Sequence, residues 1–168
     1  MASVALVVNG DPVSLEYGTG GEYLLYLLRQ QRGVNGPRFG CGISQCGCCT
    51  VLVNGSPVRS CVTAVSTLDT GDAVTTLEGI GTPDKPHPLQ QAFIDKQAGQ
   101  CAFCSNGMIM GALGWINQRV AAGNNGVPSR QEIASFLSGD GPDNGYICRC
   151  GAHLRIVDAI REAAGRMV

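Results

Sequence analysis

Val4, Leu6 and Val8 alternate with smaller residues, the period of a strand with one buried face. Asn9-Gly10-Asp11-Pro12 then supplies a strong turn before Val13 and Leu15, so the chain is predicted to open with a β-hairpin. From Glu22 to Arg32 the period changes: Tyr23, Leu24, Leu27 and Leu28 recur at helical spacing and the run stops at Gly33. Thr50 to Val53 and Ser56 to Arg59 flank Asn54-Gly55, a second hairpin signal, and Ala73 to Thr76 reads as a further strand. The first half is expected to be a helix packed across a mixed sheet of short strands.

Glu78 to Pro86, with Gly79, Gly81, Pro83 and Pro86, reads as a linker. Beyond it the pattern is helical throughout. Leu89, Phe93 and Ile94 predict a helix ending near Gly99, and Met108, Ile109, Ala112, Leu113, Ile116 and Val120 a longer one. Ser129-x-x-Glu132, directly after Pro128, is a capping-box signature opening a helix with Ile133, Phe136 and Leu137. Leu154, Ile156, Val157 and Ile160 mark the last. Four helices with short connections predict a bundle. The fold class is therefore α+β.

Composition narrows the function. At 168 residues, 44% hydrophobic and 15% charged, the chain can build one domain or two small ones. A net charge of −1 offers no electrostatic case for nucleic acid or an anionic membrane. No window reaches the apolar length of a membrane span, so no direct membrane insertion is expected. Met1 to Gly10 has neither a basic region nor a long apolar stretch, which predicts a cytoplasmic protein. Export to the periplasm on a partner's signal would leave the same sequence.

The chemistry lies in the cysteines. Eight of nine fall into two sets of four: Cys41-x4-Cys46-x2-Cys49 closed by Cys61, and Cys101-x2-Cys104 closed by Cys148-Arg149-Cys150. The first is the plant-type ferredoxin spacing, and four thiolates complete one [2Fe–2S] cluster. Disulfide staples suit chains too small to build a core, and structural zinc favours paired short knuckles that neither set repeats. Using Cys48 in place of Cys49 would give C-x-C and lose the plant-type spacing. Glycine is abundant around the first set, and Gly40, Gly42 and Gly47 adjoin cysteines, as a loop aiming backbone N–H groups at sulfur requires. The second set precedes two predicted helix N-termini, where partial positive charge suits an anionic cluster.

Other tempting residues have duller readings. His87 and His153 evoke a Rieske centre, but both cysteine sets are already complete. His87 is expected to be solvated in the linker, and His153 to lie near a cluster without ligating it. Arg149 and Arg155 could offset cluster charge or remain solvated, while Trp115, Met108 and Met110 are expected to pack the bundle. No Ser–His–Asp set, carboxylate pair or phosphate loop stands out, so no catalytic residue is assigned.

The stretches Phe39 to Val51 with Ser60-Cys61, Gln100-Cys-Ala-Phe-Cys-Ser-Asn-Gly-Met108 and Cys148-Arg-Cys-Gly-Ala-His-Leu-Arg-Ile156 resemble the iron–sulfur region of molybdenum hydroxylases, the xanthine oxidase family, in its bacterial form with a separate small subunit. The resemblance implies a β-grasp, plant-type ferredoxin-like domain over residues 1–77 and a four-helix bundle over 86–168. It implies two [2Fe–2S] clusters, on Cys41, Cys46, Cys49 and Cys61 and on Cys101, Cys104, Cys148 and Cys150. Gln100 and Cys150 would contact a molybdopterin cofactor, in its cytosine dinucleotide form, held by a large molybdenum-binding partner. Electrons would leave to an FAD subunit or a c-type cytochrome during oxidation of an aldehyde or N-heteroaromatic substrate. Cys48 stands where that family has a small residue, and Ser105-Asn106 replaces its common Thr-Pro. The latter change resembles the isoquinoline 1-oxidoreductase and nicotinate dehydrogenase small subunits. An independent two-cluster ferredoxin is the rival reading.

Overall fold

A computed structural model describes residues 2–18, 21–140 and 145–168. Strands β1 (Ala2–Val8) and β2 (Asp11–Tyr17) form the N-terminal hairpin, followed by helix α1 (Leu24–Gln31), the hairpin β3 (Thr50–Val53) and β4 (Ser56–Arg59), and strand β5 (Ala73–Thr75). They make one mixed sheet in the order β2-β1-β5-β3-β4, with β1 and β5 parallel and the other pairs antiparallel. Both hairpins turn on an Asn-Gly pair at positive φ, Asn9 (54°) with Gly10 (91°) and Asn54 (51°) with Gly55 (81°). Those dihedrals match the right-handed twist of the strands, which is why the Asn-Gly signal is legible in the sequence.

Register then sorts the side chains. Val4 pairs with Leu15 and Leu6 with Val13, so the alternating apolar residues share one face. They bury against Leu24, Leu27 and Leu28 of α1, together with Val51, Val65 and Val74. Leu25, on another face of the same helix, joins Cys49 and Cys61 in a separate buried cluster.

The second half contains α2 (Pro88–Asp95), α3 (Ser105–Ala121), α4 (Arg130–Ser138) and α5 (His153–Met167). The capping box of α4 forms: Glu132 N–H donates to Ser129 Oγ at 3.2 Å and Ser129 N–H to Glu132 Oε2 at 2.8 Å. Leu89, Phe93, Met108, Met110, Ile116, Ile133, Ile156 and Ile160 pack the core. Trp115 stacks on Phe136 at 4.7 Å. Ile94 and Leu154 mark their helices but point outward, 66% and 73% exposed.

Two expectations need correction. His87 is not a solvated linker residue: half-buried, it caps α2, its Nδ1 accepting the Leu89 N–H at 3.2 Å. The linker, too, is tied down. Glu78 accepts N–H groups of Asn35 and Gly36 at 2.8 and 2.6 Å and the Thr76 hydroxyl at 2.6 Å. Pro and Gly spacing reports backbone shape, whereas the bonds to Asn35 and Gly36 come from residues over forty positions away.

The halves meet along α3. A methyl group on Gly114 would lie 2.8 Å from Pro57 Cδ and 3.1 Å from Leu52 Cδ2, and one on Gly107 would lie 2.9 Å from Cys48 Cα. Glycine at these positions lets the helix approach the β3–β4 hairpin and the cysteine loop at backbone distance.

Candidate iron–sulfur centres

The segment between α1 and β3 carries three thiols of the first set. Backbone N–H groups of Gln45, Cys46 and Ile43 converge on Cys41 Sγ at 3.2, 3.3 and 3.5 Å, and Cys41 N–H donates to Cys46 Sγ at 3.3 Å. Burial pushes the Cys41 thiol up, but these donors outweigh it and hold it at about 7. Gly42 and Gly47 shape the loop with φ of +71° and +75°. Gly40 makes room for the thiol itself, since a methyl there would lie 2.6 Å from Cys46 Sγ. The expected donors do exist, although they come from Ile43, Gln45 and Cys46 while the glycines provide shape and clearance.

Cys49 and Cys61 are buried side by side under Leu25. Burial pushes Cys49 up to about 12, with the neighbouring Cys61 thiol adding to it. Ser60 secures the pair by donating from Oγ to the Cys49 carbonyl at 2.6 Å, while its own carbonyl accepts the Leu25 N–H at 3.0 Å. Cys48 is turned elsewhere. It is 5% exposed, its Sγ lies 4.0 Å from the Cys46 carbonyl, and burial with the Cys46 thiol pushes it up to about 12. The structure therefore sets Cys49, not Cys48, against Cys61.

Cys104 caps the N-terminus of α3, its carbonyl accepting the Met108 N–H at 3.0 Å. Cys148 and Cys150 lie just ahead of α5, with sulfurs 3.7 Å apart. Two thiolates on one tetrahedral metal with bonds of about 2.3 Å stand about 3.8 Å apart, so this pair fits a shared ion. Burial and the adjacent Cys148 push Cys104 up to about 12. Cys150 goes the other way, to about 7, because the N–H groups of Cys101 and Gln100 face its sulfur. The structure thus brings Gln100 to Cys150, at an edge where Gln100 and Cys101 are exposed. Arg149 and His153 are exposed, and Arg155 reaches the Gln97 carbonyl at 3.5 Å. Among the described residues no three Cys, His, Asp or Glu side chains converge on a single ion. In the second set the thiols follow one another, Cys104 beside Cys148, Cys148 beside Cys150 and Cys150 beside Cys101.

Several contacts between the two sets have no signal in spacing. The Ile147 N–H, next to Cys148, donates to the Cys46 carbonyl at 3.1 Å. Arg38 extends its guanidinium to the Ala102 carbonyl at 2.5 Å, between Cys101 and Cys104, and lies over the Phe103 ring. Arg59, two residues before Cys61, bonds the Gly145 carbonyl at 3.0 Å and stacks on Tyr146 at 4.2 Å.

Comparison with known proteins agrees with this geometry. Residues 6–77 match the model of a 2Fe-2S iron-sulfur cluster binding domain, and residues 76–161 that of a [2Fe-2S] binding domain. One of the nicotinate dehydrogenase chains of Pseudomonas putida is 43% identical over 162 residues, covering 96% of this chain and 94% of that one. The chain belongs to the small [2Fe–2S] subunit family of the molybdenum hydroxylases. Within this family, the alpha chain of isoquinoline 1-oxidoreductase from Brevundimonas diminuta is 36% identical over 161 residues, covering 96% of this chain and 97% of its own. The crystal structure of the aldehyde oxidoreductase from Desulfovibrio desulfuricans superposes with a TM-score of 0.88 at 36% identity, over 99% of this chain but 17% of that one. Relatives of this family therefore include chains of similar length and a much longer chain in which the same fold is one part.

Proposed function

We propose that the chain is the electron-transfer subunit of a heteromeric molybdenum hydroxylase oxidising an aldehyde or N-heteroaromatic substrate. Cys41, Cys46, Cys49 and Cys61 would hold one [2Fe–2S] cluster, in a domain spanning residues 1–77. Cys101, Cys104, Cys148 and Cys150 would hold the other, in a helical domain spanning 86–168. When bound, the clusters supply one-electron carriers between the molybdenum–pterin site of a large partner and an FAD subunit or c-type cytochrome. The observation that carries this reading is the adjacency of the sets: the Cys46 carbonyl of one is bonded to the Ile147 N–H beside Cys148 of the other.

The chain's own residues prepare each site. N–H donors at Cys41 Sγ favour the thiolate that a metal needs and, by hydrogen bonding to sulfur, raise the reduction potential. Leu25 keeps water from Cys49 and Cys61. Gln100, exposed beside Cys150, offers a side-chain amide with both donor and acceptor to a molybdopterin cytosine dinucleotide held by the partner. An N-heteroaromatic substrate is supported by the names of the nicotinate and isoquinoline relatives. No helix among the described residues is long and apolar enough to cross a membrane. A cytoplasmic complex is our proposal, with export to the periplasm on a partner's signal as the alternative.

Metal analysis and low-temperature EPR of the protein purified from its native host test the reading. About four irons per chain, two distinct S = 1/2 signals on reduction and a molybdenum-bearing partner are expected. Both signals without molybdenum or a partner would favour a free two-cluster carrier, and zinc without iron would overturn both.

A further inference from the structure

Asn106 stands two residues after Cys104, on the first turn of α3, and is 2% exposed. Its side-chain Nδ2 donates both hydrogens to the cysteine loop of the other half: to the Gly36 carbonyl and, at 2.8 Å, to the Cys48 carbonyl. Only this amide orientation works, because a reversed Asn106 would set its oxygen against two carbonyl oxygens. Asn106 Oδ1 is buried without a hydrogen-bond partner. Leaving a buried acceptor unpaired is a standing cost, so the amide at this position stabilises something that an apolar residue would not.

What it holds is the spacing between the two thiol sets. The Cys48 carbonyl lies between Cys46 and Cys49 in the chain, and it accepts from the Arg38 N–H at 3.0 Å as well as from Asn106. Arg38 in turn extends its side chain to the Ala102 carbonyl at 2.5 Å, between Cys101 and Cys104. Cys48, Asn106 and Arg38 thus close a loop of bonds that begins at one set and returns through the other. Each bridging side chain reaches a main-chain carbonyl next to a thiol residue, Asn106 that of Cys48 beside Cys49 and Arg38 that of Ala102 beside Cys101.

We infer that Asn106 is a positioning residue for electron transfer, its amide fixing the separation and relative orientation of the two clusters, with Arg38 as a second, more exposed strap. The inference rests on the proposed two-cluster function. Transfer between carriers depends steeply on their separation, so a strap acting here governs rate without touching a ligand.

Asn106→Leu, which keeps the branching at Cγ but is larger and has no donors, and Arg38→Met, which keeps the main-chain bond, should be compared with the wild-type complex. The readouts are iron content, the EPR signal of each cluster, and the magnetic coupling between them in the fully reduced state. Expected are unchanged iron and unchanged individual signals. The inter-cluster splitting should become smaller and broader in Asn106→Leu, less so in Arg38→Met, and electron exit after a single turnover should slow at least about threefold in the former. Should Asn106→Leu fail to fold, Arg38→Met still decides, because its coupling must change while iron is retained. Unchanged splitting in an iron-replete Asn106→Leu complex, or in Arg38→Met when Asn106→Leu does not fold, would overturn the inference and leave the electron-transfer reading standing. Wild-type protein without two clusters would overturn both.

Discussion

Gly107 of α3 faces the main chain of Gly47 so closely that a methyl group built on it would overlap the Gly47 carbonyl oxygen. Gly47 sits between Cys46 and Cys48, and Gly107 lies three residues after Cys104. The close approach of the two thiol sets therefore depends on a missing side chain as much as on any bond.

Gly107→Ala should accordingly be among the costliest small substitutions in the chain. The atom met is backbone oxygen and cannot rotate away, so the helix or the loop must shift. A loss of about 1–3 kcal/mol is expected, typical of overpacking, despite the better helix propensity of alanine. Denaturant unfolding of cluster-loaded protein measures it. A variant as stable as wild type would show that the two backbones do not meet as described.

Cys48 and Cys49 give a sharper test of ligand register. Cys49 lies buried against Cys61, while Cys48 points to the Cys46 carbonyl and towards Cys104. Cys48→Ala should keep about four irons per chain at a stability cost of about 1 kcal/mol. Cys49→Ala should lose about half the iron and one of the two EPR signals. The reverse result would reassign the ligand.

Cys104→Ser tests whether the second set lies on the electron path. It caps α3 and is pressed against Cys148, so replacing it should remove the second cluster and leave the signal of the first. Iron should fall to about half, and substrate oxidation coupled to the natural acceptor should drop by at least about 100-fold. Turnover at the wild-type rate would mean that electrons bypass this set.

The elements are legible in the sequence because their signals are local. Asn54-Gly55 fixes its own dihedrals, Ser129 and Glu132 satisfy each other across one helical turn, and Val4, Leu6 and Val8 share a face by strand period alone. The first cysteine set stands out for a similar reason, since its plant-type ferredoxin spacing is a local pattern, and the second stands out as two close pairs just ahead of α3 and α5. What spacing cannot carry is contact across the halves. Asn106 is visible only as a departure from Thr-Pro, and its bonds to Gly36 and Cys48 span 70 and 58 positions. Arg38, Arg59 and Tyr146 give no warning, because an arginine's reach to a carbonyl depends on where the other half of the chain has folded. His87 misleads for a different cause: composition around it is that of a linker, while its role follows from one N–H at Leu89.

That role makes His87 a source of pH dependence. Burial disfavours the charged ring and lowers its pKa in the folded protein, and protonation would also remove the Nδ1 lone pair that accepts the Leu89 N–H. With the folded value depressed, the unfolded chain takes up the proton first as pH falls. The contribution to stability is therefore complete above the unfolded value of about 6.5 and is lost as pH falls through it towards the folded value. His87→Ser supplies a cap that does not titrate in this range. Thermal unfolding at pH 8 and pH 5.5 should show wild type losing more of its melting temperature on acidification than the variant. Equal losses in the two proteins would assign the acid sensitivity to other groups.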